Sequence, residues 1–129
     1  MLNKNLILYT DDNNLEMQIT KTLSDYDINI ITCNRWIYAL LEILDREFSV
    51  VIIDEKLRSR ENSDLIALVK KYSPKTFIIL LTSKAEDIND KSKFDVSKLE
   101  IQRPISDLKL AVMARIICDR IYGIQGLGN

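Results

Sequence analysis

The stretch Ser-Val-Val-Ile-Ile-Asp, residues 49–54, decides the fold that we predict for this chain. Four consecutive β-branched aliphatic residues cannot alternate between a buried and a wet face, so both faces of this strand must be covered. Such strands are typical of the middle of a parallel sheet with helices on both sides. Asp54 follows the apolar run, so its carboxylate should lie at the carboxyl edge of the sheet, where open α/β sheets bind ligands.

A second pair of acids follows the first apolar run of the chain. Asp11 and Asp12 come directly after Leu6-Ile-Leu-Tyr-Thr10. If the two strands are neighbours, these carboxylates converge with that of Asp54 and repel one another unless a hard cation lies between them. Mg²⁺ prefers oxygen ligands of this kind. The residues thus suggest an acidic metal site, although an isolated Asp at a strand end is more often a helix cap or a surface carboxylate.

The remaining chain alternates between strand and helix patterns. We expect strands at 6–10, 28–33, 49–54, 76–82 and 98–103, and helices beginning near residues 14, 34, 62 and 106, with a short, mobile helix in the polar segment 83–97. Residues 55–62 should form an exposed charged loop. This alternation predicts a doubly wound α/β sandwich with a five-stranded parallel sheet. The apolar stripes expected to face the sheet are Leu15, Ile19, Thr22, Leu23 and Tyr26; Trp36, Leu40, Ile43 and Leu44; Leu65, Leu68, Val69 and Tyr72; and Leu110, Ala114, Ile117, Cys118 and Ile121.

Length and composition limit the classes of function. The 129 residues, 47% of them hydrophobic, suit one compact domain, which we place at 1–123, with 124–129 as a flexible tail or linker stub. The net charge of −1 offers no general attraction to nucleic acid or to an anionic membrane. The chain contains no histidine, which excludes histidine-based catalysis. Cys33 and Cys118 lack the spacing of a metal or redox motif and are expected to be reduced thiols, so we expect a cytoplasmic protein. The first apolar run has only about five residues, too few for a signal sequence or a membrane span.

The order of these landmarks resembles the receiver domains of two-component response regulators. Asp11 and Asp12, then Asp54, then Thr82, and finally the cation Arg103 before Pro104 each follow a strand at about the family's spacing. The resemblance spans nearly the whole chain. It implies a flavodoxin-like (βα)5 fold with strand order 2-1-3-4-5.

The resemblance also implies roles for these residues. Asp54 would accept a phosphoryl group from a histidine kinase or phosphotransfer protein, and Thr82 would bond a phosphoryl oxygen. Asp11, Asp12 and Asp54, with the carbonyl of Lys56, would bind Mg²⁺. Such a phosphoprotein catalyses at most its own phosphorylation and dephosphorylation, so it is not an enzyme in the usual sense. The family's use of a cis peptide bond before this proline predicts the same for Arg103-Pro104.

Two positions depart from the family pattern. Arg103 stands where the family has a lysine, and a planar guanidinium is not equivalent to a compact ammonium at a tight phosphoryl site. Glu100 stands where the family usually has an aromatic residue that turns inward on activation. Both departures favour an alternative hypothesis, in which the chain is a pseudo-receiver that acts as a protein-interaction module without phosphorylation.

A phosphatase and a flavin-binding protein fit the sequence less well. A phosphatase of the haloacid dehalogenase type would need an acid where this chain has Lys56. A flavodoxin-like flavin binder would need a phosphate loop in place of Asp-Asp-Asn-Asn at residues 11–14.

The last helix also suggests an interface. Val112, Met113 and Ile116 lie outside its predicted core stripe, so we expect self-association or partner docking through this helix and the adjacent edge strand. Isolated exposed aliphatic residues are common, so these residues are also compatible with a surface that has no partner.

Overall fold

A computed structural model describes residues 4–56, 59–82 and 98–123, with only the backbone described for 59–64 and 98. The strands are β1 (Asn5–Tyr9), β2 (Asn29–Cys33), β3 (Val50–Asp54), β4 (Phe77–Thr82) and β5 (Lys98–Gln102). The helices are α1 (Asn13–Thr22), α2 (Trp36–Asp45), α3 (Ser59–Tyr72) and α4 (Asp107–Tyr122). The helix expected within 83–97 and the tail at 124–129 lie outside the described residues.

The sheet has the predicted order. All four pairings are parallel, and the strands run β2-β1-β3-β4-β5. Every residue of β3 is buried, as expected for a central strand of a doubly wound sheet. The flavodoxin-like fold is therefore confirmed, and it brings the carboxyl ends of β1, β3 and β4 side by side.

Two apolar layers cover the sheet. Side chains on one face, such as Leu8 and Ile52, pack with α1 and α4, whereas their neighbours Tyr9 and Ile53 pack on the other face with α2 and α3. Because successive residues of a strand point to opposite faces, a continuous apolar run supplies both layers at once.

Some predicted core positions are wrong. Tyr26, Leu44 and Tyr72 are 46%, 55% and 52% exposed. Tyr26 lies four residues beyond the end of α1, and Tyr72 is the last residue of α3. The buried residues of α2 are Ala39 and Ile43, so Leu44, which is turned by about 100° from Ile43, lies outside the core stripe. The predicted loop at 55–62 is also too long, because α3 begins at Ser59; its polar first residues include Arg60 and Glu61, which have good helix propensity.

The predicted surplus of apolar residues on the last helix needs correction. Met113 is 1% exposed and belongs to the core together with Ile117 and Ile121, at spacings of four residues. Ile116 is half-buried against the same cluster, so only Val112 of the three is exposed, at 49%. The core stripe is thus rotated towards Met113 from the stripe that the sequence suggested. No helix in the described part of the chain is long and apolar enough to cross a membrane.

Candidate functional site

Asp54 lies at the centre of the carboxyl edge of the sheet. It is the last residue of β3 and is fully buried. Its Oδ1 accepts a hydrogen bond from the backbone N–H of Lys56 at 3.0 Å, and its Oδ2 accepts one from the hydroxyl of Thr10 at 2.6 Å. Because a buried carboxylate needs such donors, these contacts hold the Asp54 side chain in one position.

Arg103 brings a cation to the same carboxylate. It follows β5, and its backbone N–H donates to the carbonyl of Thr82 at 2.7 Å. Its Nη2 lies 2.8 Å from Oδ2 of Asp54, and its Nη1 lies 3.5 Å from Oδ2 of Asp12. The peptide bond between Arg103 and Pro104 is cis. The predicted cis bond is confirmed.

The sheet order explains why a long side chain is needed for this contact. Strand β4 separates β5 from β3, so Arg103 must reach across the end of β4 to meet Asp54. The contact is an ion pair without the angle of a good hydrogen bond. Within the residues that the structure describes, Nη2 and Nε of Arg103 have no hydrogen-bond acceptor.

Asp12 performs a structural task at the amino end of α1. Its Oδ1 accepts hydrogen bonds from the backbone N–H groups of Asn14 and Leu15 at 3.0 and 3.1 Å, so Asp12 is the N-cap of the helix. The bond from Leu15 is the main cause that lowers the pKa of Asp12. The bond from Asn14 and the charges of Arg103 and Lys56 act in the same direction, whereas burial opposes them.

The remaining predicted site residues are less closely grouped. Asp11 and Lys56 are exposed. Thr82 is buried at the end of β4, where its hydroxyl donates to Oε1 of Glu55 at 3.1 Å. Thr82 therefore lies on the predicted edge of the sheet, and it contacts a carboxylate that directly follows Asp54 in the chain.

Sequence reasoning missed Thr10 and Glu55. Thr10 is 2% exposed, and besides donating to Asp54 its hydroxyl accepts from the backbone N–H of Asp12. A hydroxyl at the end of an apolar run, just before the acids, was the available signal. Glu55 belonged to a stretch that we expected to be an exposed loop, and nothing in its spacing indicated a bond to Thr82.

The arrangement does not fit the expected Mg²⁺ ion. Across residues 4–56, 59–82 and 98–123, no cluster of three or more acidic, cysteine or histidine side chains is placed to hold a metal. Oδ1 of Asp12 is taken by the helix cap, and the carboxylates of Asp12 and Asp54 already face a guanidinium. A Mg²⁺ ion beside these carboxylates would also be repelled by the guanidinium of Arg103. Two like unit charges roughly 4 Å apart repel by about 4 kcal/mol near a protein surface, and the double charge of Mg²⁺ doubles this energy.

Several solved structures share this fold. A response regulator from Hahella chejuensis aligns with a TM-score of 0.76 at 15% identity, covering 94% of this chain and 97% of that chain. An adenylate cyclase from Rhodopirellula baltica aligns at 0.74 and 20% identity, covering 98% and 96%. The beryllofluoride-activated NtrC4 receiver domain, solved as a dimer, aligns at 0.72 and 16% identity, covering 88% and 95%. No family model and no curated protein matches the sequence.

Proposed function

Since the chain has the fold of response-regulator receiver domains, we propose that it is a receiver module of two-component signalling, in which Asp54 accepts a phosphoryl group. The donor would be a histidine kinase or a phosphotransfer protein, and the signal would pass on through protein–protein contacts. One observation carries the proposal: the buried carboxylate at the end of the central strand is surrounded by the hydroxyl of Thr10, the N–H of Lys56 and the Arg103 guanidinium.

These donors suit phosphoryl transfer to a carboxylate. An oxygen of Asp54 would form a bond to phosphorus while the bond to the leaving group breaks, and the leaving group would keep the electron pair. Nε and Nη2 of Arg103, which have no hydrogen-bond acceptor among the described residues, would be the donors that stabilise charge on the transferred group. The hydroxyl of Thr82 would first have to leave Glu55. Because the protein would modify only itself, we do not propose a conventional enzyme.

Labelling with a small phosphodonor tests this proposal. Acetyl phosphate transfers a phosphoryl group and releases acetate, and intact-mass spectra detect the adduct. We expect an adduct on the wild type and on Asp25→Asn, whose acid is exposed elsewhere on the surface, and none on Asp54→Asn. An equal adduct on Asp54→Asn, or none on any of the three proteins with and without Mg²⁺, contradicts the proposal.

A second candidate is the pseudo-receiver, which would signal by protein contacts without phosphorylation. The specific observation in its favour is that Arg103 already forms ion pairs with Asp54 and Asp12, while the hydroxyl of Thr82 donates to Glu55. For this candidate, acetyl phosphate leaves no adduct, and beryllofluoride leaves partner binding unchanged. Those two results together would favour it over the phosphoacceptor.

We also propose that α4 and the edge strand β5 form a self-association surface. Leu108 and Val112 are one helical turn apart and are 74% and 49% exposed. Arg115 and Asp119, also on α4, form an ion pair in which the arginine is exposed and the aspartate is partly buried. Apolar side chains with charged neighbours suit a reversible interface, and the similar NtrC4 receiver domain was solved as a dimer.

Two free cysteines fit a reducing compartment. Cys33 is buried and Cys118 is half-buried, and burial is the main cause that raises the pKa of both thiols. Raised pKa values lower the thiolate fraction and thus the reactivity. On this basis we propose that the protein is cytoplasmic, as its histidine kinase or phosphotransfer partner would require.

A further inference from the structure

We propose that the guanidinium of Arg103 takes the place of the divalent cation at this site. It lies between the carboxylates of Asp12 and Asp54, which the resemblance to receiver domains would assign to Mg²⁺. The inference rests on the proposed function and concerns the same site. The cation would be part of the chain instead of an ion that exchanges with solvent, so the site would not depend on the supply of Mg²⁺.

The contacts of each carboxylate support this assignment. Oδ1 of Asp12 accepts from two backbone N–H groups, and Oδ1 of Asp54 accepts from the N–H of Lys56. The other oxygen of each residue, Oδ2, faces Arg103 at 3.5 and 2.8 Å, and Oδ2 of Asp54 also accepts the hydrogen bond from the hydroxyl of Thr10. The guanidinium is therefore the cation that the Oδ2 oxygens of both carboxylates face.

The two terminal nitrogens of the guanidinium face different carboxylates. Nη1 faces the end of β1 through Asp12, while Nη2 faces the end of β3 through Asp54. A lysine ammonium is a compact point charge, whereas the planar fork presents several donors and can serve two carboxylates at once. The departure from the family pattern at position 103 is therefore the change that allows the cation to be internal.

A cation that belongs to the chain does not depend on pH or on the concentration of Mg²⁺ in the way that a bound ion does. Arginine stays protonated at any physiological pH and is tethered to β5, so its positive charge remains beside the two carboxylates whatever the concentration of Mg²⁺. A Mg²⁺ ion would need oxygen ligands at roughly 2.0–2.1 Å and would have to displace the guanidinium to obtain them. The wild-type protein should thus bind Mg²⁺ poorly, and removal of the guanidinium should create a metal site.

Thermal unfolding with Mg²⁺ alone tests the inference. The proteins are the wild type, Arg103→Met and Arg103→Lys. Methionine is a long side chain without a charge, so it removes the cation and keeps much of the apolar stem. The control is Arg46→Met, which removes a half-exposed arginine that pairs with Glu42 away from the site. Relative to a sample with chelator, about 10 mM Mg²⁺ should leave the midpoint temperatures of unfolding of the wild type and the control unchanged. It should raise the midpoint temperature of Arg103→Met by about 5 °C if the dissociation constant for Mg²⁺ is about 1 mM.

Further variants keep the test decisive. Asp54→Asn in the Arg103→Met background should abolish the response, because it removes one of the ligands. If Arg103→Met does not fold, Arg103→Lys should show the response, because a compact ammonium leaves space beside the carboxylates. A wild type that responds to Mg²⁺ as strongly as the variants overturns the inference, and so does the absence of a response in both Arg103 variants. No phosphodonor is used, so these results do not depend on whether Asp54 is labelled.

Discussion

The hydroxyl of Thr10 donates a 2.6 Å hydrogen bond to Oδ2 of Asp54, the oxygen that also faces Arg103. This bond joins the chain just after β1 to the end of β3 inside the protein. The carboxylate is therefore held by a neutral donor and a cation together, which makes Thr10 as much a part of the site as the residues that spacing identified.

Thr10→Val should destabilise the protein. The change keeps the shape of the side chain but leaves Oδ2 of Asp54 without its hydroxyl donor, which costs about 2 kcal/mol for a hydrogen bond to a charged group. Thr10→Ser keeps the hydroxyl and is the control. Urea unfolding measures the free energy, and equal stability of the two variants would show that the bond contributes nothing.

Arg103 and Asp54 should be strongly coupled. Arg103→Met leaves a buried carboxylate without its cation and should cost about 3–5 kcal/mol. Adding Asp54→Asn removes the charge, so the double variant should be more stable than the sum of the single changes predicts. A matched cycle on Arg115 and Asp119, a pair in which the arginine side chain is 68% exposed, should give a coupling below about 0.5 kcal/mol. Similar coupling in both cycles would contradict the importance of the buried pair.

Asp12 should stabilise the fold in a way that depends on pH. Asp12→Ala removes the N-cap of α1 and should cost about 1 kcal/mol at neutral pH, whereas Asp12→Asn keeps a capping oxygen and should cost less. The pKa of Asp12 is lowered from its ordinary value of 3.8, so the charged form contributes stability above that pH. The advantage of the wild type over Asp12→Asn should shrink as the pH falls below 3.8. A difference that is constant from neutral to acidic pH would exclude a role for the charge.

The surface of α4 can be tested by oligomeric state. Leu108→Glu and Val112→Glu place a charge on exposed residues, so folding stability should change by less than about 0.5 kcal/mol. Sedimentation equilibrium should show association of the wild type that both variants lose. Leu41→Glu, at a residue of α2 that is 55% exposed in the opposite layer, is the control and should associate normally. A wild type that is monomeric at all concentrations, with and without beryllofluoride, contradicts the interface.

The amino-acid sequence alone determined the frame of this protein. Continuous apolar runs such as 50–53 require cover on both faces, and that requirement predicts a parallel sheet between two helical layers. The carboxyl ends of parallel strands share one edge, so the sequence also places Asp12, Asp54 and Thr82 at that edge. These conclusions depend on strand periodicity, which a chain carries locally.

Only the tertiary structure decided how the side chains pair. Thr10 meets Asp54 because β1 and β3, which are not consecutive in the chain, are neighbours in the sheet. Arg103 meets the same carboxylate because its side chain reaches across the end of β4. The core position of Met113 was likewise decided by the layer that α4 packs against, since helical periodicity defines the angle of a stripe only to within about one residue. Such contacts join residues far apart in the chain, and local patterns carry no information about the distances between them.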